Sequence, residues 1–281
     1  CRDWSSDVCS SDLPINRLTI NKLYNLNLKS EDEVEKFFES KKENRFPILT
    51  SEDIVVNQVG YELFEKFYKN YTKKQWGIEP KELSPLVCGR VPTRTNDDCR
   101  YFSDKYQFMP KDGYTKMFEK ILKHKNIEVI LHTDYKSILD SVKFNKMIYT
   151  GPIDEFFDYS FGKLPYRSLL FEFENHDTEF LQSSGNVNYS DLSVDFTRVT
   201  EYKYLTGQIA SSTTVSKEFS TSEGDPFYPI PTEENKKLYR IYKNETDKLK
   251  SIIFCGRLAE YQYFNMDQVV ANTLKIFRNK I

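Results

Sequence analysis

The chain has 281 residues, 39% of them hydrophobic and 29% charged, with a formal net charge of -2 and a mean hydropathy of -0.62. That length supports about two domains and a sizeable core, while the balance of 40 basic and 42 acidic residues argues against electrostatic attraction to nucleic acid or an anionic membrane. No apolar run nears the ~20 residues of a membrane span, and the cysteines (positions 1, 9, 88, 99 and 255) form no C-x-x-C pair, so reduced thiols in a cytoplasmic setting and no metal site are expected.

The opening stretch, CRDWSSDVCSSDL at residues 1–13, has neither helical nor strand periodicity. It closely resembles a translated sequencing adapter and is set aside as a non-native tail. From Pro14 the pattern becomes helical. SEDEVEKFFES offers a capping box, Ser30 with Glu33, before Val34, Phe37 and Phe38 on one face. SEDIVVNQVGYELFEKFYKNY carries a longer apolar stripe through Val56, Val59, Leu63, Phe64, Phe67 and Tyr71, ended by Gly77 and Pro80. Turn formers and aromatics follow to Pro110. GYTKMFEKILKHK reads as helix, IEVILHTDY and KMIYTGP as strands, and residues 164–204 alternate like antiparallel strands. The C-terminal SIIFCGRLAEYQYFNMDQVVANTLKIF reads as a strand, a glycine turn, a loop and a helix. The class is mixed, with α/β and α+β parts.

The chemistry-bearing signals are sparse. His124, His132 and His176 show no metal spacing and accompany no nucleophile motif. No G-x-S-x-G, P-loop or G-x-G-x-x-G occurs, and the last absence by itself argues against a dinucleotide cofactor. What remains is arginine and tyrosine in turn-rich segments: Arg94, Tyr106, Arg198, Tyr228 and Tyr263. Guanidinium forks and phenol hydroxyls match a pyrophosphate in charge and geometry. Ion pairs and turn tyrosines explain such residues equally well.

The segments NYTKKQWGIEPKEL, RVPTR, RYFSDKYQFMPKDGYTKM, IYTGPID, NYSDLSVDFTRVTEY, DPFYPIPTEEN and FCGRLAEYQYFNMDQV together resemble the UDP-galactopyranose mutase family, in that family's order, from about Pro14 to the C-terminus. The resemblance implies an isomerase that interconverts UDP-galactopyranose and UDP-galactofuranose through an adduct of the sugar on N5 of reduced FAD, without net redox change. It implies a partial FAD-binding Rossmann-like domain with an inserted helical domain and an antiparallel sheet domain. The boundaries read from it are 14–88 for the helical substrate-binding domain, 89–112 and 152–248 for the sheet domain, and 113–151 with 249–281 for the FAD-binding remnant.

By that resemblance, Arg94 and Arg198 hold the pyrophosphate as catalytic residues, and Tyr106, Tyr228 and Tyr263 donate hydroxyls to it. Phe67 and Tyr71 match the uridine-stacking pair, with Thr72 beside them. Asn188 matches a uracil contact, Trp76 a residue near the sugar, and Arg167 an arginine near flavin and sugar. Gly256 and Arg257 match the turn at the FAD pyrophosphate, Asp134 and Tyr135 an adenine contact. The run Phe264, Asn265, Met266, Asp267, Gln268 and Val269 matches backbone contacts along the flavin. Without the resemblance, Phe67 and Tyr71 read as core, Trp76 as a helix-end plug and the arginines as surface ion pairs.

Two departures stand out. Asn265 occupies a position where many relatives carry Asp. The family's first βαβ unit, which grips the FAD pyrophosphate, is not in the sequence, so the expectation is a truncated chain that binds FAD poorly and turns over little. Relatives are often dimers, but no interface is legible. The rival readings are another flavoprotein of the amine-oxidase-like superfamily and a non-catalytic nucleotide-sugar binder.

Overall fold

A computed structural model describes residues 15–280; the adapter-like stretch at residues 1–13 lies outside the described residues. The chain begins as a helical cluster: α1 (Arg17–Tyr24), α2 (Glu31–Lys41), α3 (Ser51–Val59), α4 (Tyr61–Leu63), a π-helical turn (Phe64–Lys69) and α5 (Asn70–Trp76). The capping box expected from the sequence is present: Glu33 N–H donates to Ser30 Oγ at 3.2 Å, and Ser30 N–H to Glu33 Oε2 at 3.1 Å. Thr50 and Asp53 repeat the device at the start of α3.

The long stripe expected over residues 51–71 is interrupted at Gly60. Its φ of +86° is a left-handed conformation, and a Cβ there would sit 2.1 Å from the Lys41 carbonyl oxygen. The break lets α3 and the following helix fold onto α2 while keeping one apolar face. Val34, Val55, Val56, Leu63 and Phe64 are fully buried in the resulting core. That core also takes in Trp76, Val87 and Cys88, with Tyr228 and Tyr263 packed against it from later in the chain.

Next come α6 (Gly113–Leu122), α7 (Tyr135–Ile138), β1 (Met147–Tyr149) and α8 (Ile153–Phe156). Then β2 (Tyr166–His176), β3 (Asn186–Asn188), β4 (Arg198–Glu201), β5 (Thr213–Thr221) and β6 (Tyr228–Pro229) form an antiparallel sheet in the order β3-β4-β5-β2-β6, with helix α9 (Tyr202–Thr206) between β4 and β5. After α10 (Glu233–Thr246), β7 (Ile252–Phe254) pairs in parallel with β1, and α11 (Met266–Lys280) follows.

The strand expected at IEVILHTDY is not formed. The described residues give it no strand to pair with, so its backbone groups gain no ladder, and Ile127, Val129, Ile130 and Leu131 are exposed. The helix expected at Gly113 is formed, yet Phe118 and Ile121 on its apolar face are also exposed, as are Val270, Leu274 and Phe277 of α11. Among the described residues no helix is long and apolar enough to cross a membrane.

Candidate active site

The antiparallel sheet lines up a polar row. Arg198 on β4 is the register partner of Asn188 on β3 and of Glu218 on β5. Residues directly opposite in a ladder project from the same face, so amide, guanidinium and carboxylate stand side by side. Alternation along the strands puts Ser220 and Arg167 on this face too, and Tyr228 is the register partner of Arg167. Helix α5 packs across β5.

Between helix and sheet lies a cavity of about 280 Å³. Its walls include Phe67, Tyr71, Thr72 and Trp76 from the helical side, Asn188, Arg198, Glu218 and Tyr228 from the sheet, and Arg90, Tyr101 and Tyr263 from the loops. Arg198 donates from Nε to Asn188 Oδ1 at 3.0 Å and from Nη2 to the Tyr71 hydroxyl at 3.1 Å. Its Nη1 lies 3.9 Å from Glu218 Oε2. The Tyr71 phenol raises the pKa of Arg198, against the cost of burial and with help from Glu218, so the charge persists inside the cleft.

A second cationic group closes the other side. Arg90 lies over the Tyr263 ring at 4.6 Å, and Arg257 over the Tyr228 and Tyr263 rings at 4.7 and 4.9 Å. Burial opposes the charge on Arg90, and the phenols of Tyr263 and Tyr101 outweigh it. Burial lowers the pKa of Arg257, and its Nε is buried with no partner among the described residues. Trp76 meets Tyr263 edge-on at 5.2 Å and Tyr228 at 6.0 Å. Two guanidinium groups, Arg90 and Arg198, and the Glu218 carboxylate line a small aromatic cleft, while Arg257 stacks on its tyrosines from outside the lining; such a set suits an anion with an attached ring.

The expected site residues divide. Phe67, Tyr71, Thr72, Trp76, Asn188, Arg198, Tyr228 and Tyr263 all line the cavity. Arg94 does not. Its Nη1 donates to the carbonyls of Asp98 (3.1 Å) and Arg100, and sits 3.6 Å from Asp98 Oδ1, so it is consumed in holding its own loop. The other arginine lining the cavity with Arg198 is Arg90, four positions before Arg94. Tyr106 is 74% exposed beside Lys105 and does not line the cavity, whereas Tyr101 does. Arg167 lies behind the wall, donating from Nε to Gln75 O at 3.1 Å and Ser220 Oγ at 3.2 Å.

The remaining expected residues lie outside the cavity. Asp134 caps α7, and Tyr135 packs with Tyr149 and Phe156. Gly256, with φ +94°, turns the chain after β7. Beyond Phe264, Asn265 accepts a 3.4 Å bond from Arg90 and its N–H donates to Gln268 Oε1 at 2.8 Å. Met266, Asp267 and Val269 belong to the start of α11. Sequence reading missed Arg90, Tyr101 and Glu218. The available signal for Arg90 was the glycine before it and the strand-like valine after it in CGRV.

Burial, and then Glu218, push the Tyr228 phenol up to about 12, and burial does the same for Tyr239. Both protons are held more tightly folded than unfolded. Their stabilising effect is complete below the ordinary phenol value near 10 and disappears as pH rises through the folded values. The midpoint of thermal unfolding should therefore fall between about pH 10 and pH 12, less steeply in Tyr228→Phe; equal slopes for the two chains would contradict this.

The UDP-galactopyranose mutase family model matches residues 66–263. The chain is 37% identical to a probable UDP-galactopyranose mutase of Klebsiella pneumoniae, over 94% of this chain and 69% of that protein. It is 36% identical to a dTDP-fucopyranose mutase of Escherichia coli, over 94% of this chain and 72% of that one. Its fold is similar to a crystal structure of reduced UDP-galactopyranose mutase, with a TM-score of 0.65 at 14% identity, covering 89% of this chain and 72% of the other. A matched segment that spans the cavity walls from Phe67 to Tyr263, together with relatives of this identity, places the chain in the UDP-galactopyranose mutase family.

Proposed function

We propose that the cavity binds UDP-galactopyranose and UDP-galactofuranose, and that the chain acts as an isomerase between them. The observation that carries this reading is the convergence of Arg90, Arg198, Tyr228 and Tyr263 on one cleft that Phe67 and Tyr71 also line. The two guanidinium groups hold the diphosphate and stabilise the charge that develops as it leaves the sugar. The rings of Phe67 and Tyr71 receive the base, and Trp76 closes the sugar end.

FAD is the cofactor the family implies. Residues after β7 suit one flank of it: Gly256 takes a φ of +94° that favours glycine, with Thr150 Cβ 3.9 Å from the position of an added Cβ, and the buried Nε of Arg257 lacks a partner among the described residues. Gly256, Arg257 and the run from Phe264 to Val269 would hold it, beside the parallel pair β1–β7 that we assign to a Rossmann-like FAD-binding part. A reduced flavin, when bound, supplies the nucleophile that carries the sugar between its ring forms.

Calorimetric titration with UDP and uridine tests the reading. UDP is expected to bind at least about tenfold more tightly than uridine, because charge-assisted bonds to the diphosphate supply most of the affinity. Equal affinity would overturn it. The relative named for dTDP-fucopyranose favours a second reading; tighter binding of dTDP-fucopyranose than of UDP-galactopyranose would select it.

A further inference from the structure

We infer that Lys74 is a positioning residue that sets the distance between the ring-bearing helix and the arginine-bearing hairpin of the cavity. This rests on the reading of the cavity as a UDP site. Lys74 is half-buried on α5, one turn after Tyr71. Its ammonium donates to three carbonyls of the β3–β4 connection: Asp191 at 2.8 Å, Val194 at 3.1 Å and Phe196 at 3.0 Å. An ammonium has three donors, and all three are engaged here.

What this cation ties down matters. The β3–β4 ladder ends at the pair Asn188–Arg198 and a Tyr189 N–H bond to Thr197 O. Beyond it the chain turns back without strand pairing. Arg198 and Asn188 therefore sit at the end of a hairpin whose tip has no ladder of its own. Lys74 fastens that tip to the helix that carries Tyr71.

The tie has a counterpart on the other side of α5. Arg167 from β2 donates to the carbonyls of Gln75 and Lys74, at 3.1 and 3.5 Å, and Ser220 Oγ also donates to Gln75 O. Arg167 anchors the helix end to the body of the sheet; Lys74 anchors the hairpin to the helix. The 3.1 Å bond from Arg198 to Tyr71 lies between these two anchors. Without Lys74, the hairpin can shift against α5 while the sheet body stays in place. Lys74 lines no part of the cavity, so its effect on a ligand passes through Arg198.

The test uses the full chain with Lys74→Met, Lys74→Arg, Arg198→Ala and the Lys74→Met/Arg198→Ala pair, titrated with UDP. Lys74→Met is expected to weaken binding about tenfold and Lys74→Arg to stay within about threefold of the original chain. In the Arg198→Ala background the Lys74 effect should shrink to about twofold or less, since coupled residues are non-additive. Unchanged affinity in Lys74→Met, or a full tenfold effect in both backgrounds, would overturn the inference. If Lys74→Met fails to fold, hydrogen exchange of the original chain decides. UDP should then slow exchange across residues 190–197, and unchanged exchange there overturns the inference. If the original chain does not bind UDP, the reading of the cavity fails instead. Ligand-free exchange then judges the tie: faster exchange in Lys74→Met confined to the hairpin and the end of α5 supports it, and any other pattern overturns it.

Discussion

Arg198→Ala is expected to weaken UDP binding by ~10²-fold, about 3 kcal/mol, with the fold retained. The guanidinium satisfies Asn188 and Tyr71 and stands against Glu218, whose side chain is only 10% exposed. On the proposed reading, removing it takes away one diphosphate contact and leaves that carboxylate facing an anionic ligand without its neighbouring cation. Arg198→Lys should recover only part of the loss, because an ammonium cannot reproduce the fork that spans Asn188 and Tyr71. Calorimetric titration of both variants measures this. Affinity within about threefold of the original chain for Arg198→Ala would remove the arginine from the account.

The second large effect concerns stability. Phe64→Ala is expected to lower the free energy of unfolding by ~3–5 kcal/mol, through lost burial and a residual cavity. Phe64 is fully buried among α2, α3 and the π-helical turn, with the Tyr61 ring 5.7 Å away. It lies one turn before Phe67 and two before Tyr71, so the core that it fills also holds the ring-bearing wall. Urea unfolding reads the change; a loss under about 1 kcal/mol would show that the core relaxes around the deletion.

Much of this was legible in the sequence where local chemistry decides structure. The Ser30–Glu33 capping box is one case, since both partners lie within a single turn. The helical stripe through Phe64, Phe67 and Tyr71 is another, although the stripe does not reveal that Gly60 breaks it. That break is set by the approach of the Lys41 carbonyl, a contact from another helix. The strand expected at residues 127–135 shows the opposite limit. An apolar run supplies the side chains of a strand, but pairing needs a neighbour, and the described residues provide none.

The site divides on the same principle. Asn188, Arg198 and Tyr228 lie on strands whose alternation fixes which face they occupy, and the three line one cavity. Arg90 and Arg94 lie in an irregular segment without a period to read. They are four positions apart, and only the folded loop determines that Arg94 turns back on the Asp98 and Arg100 carbonyls while Arg90 reaches Tyr263. For the same reason the sequence does not show that Tyr101 lines the cavity while Tyr106 is exposed. Lys74 carried no signal at all, because its partners are backbone carbonyls more than 100 positions away.

The most direct test of the account is a crystal structure of the chain with UDP bound. The diphosphate is expected between the guanidinium groups of Arg198 and Arg90, with the uracil ring against Phe67 and Tyr71. UDP seated elsewhere, with Arg198 still engaged by Asn188, Tyr71 and Glu218 alone, would contradict it.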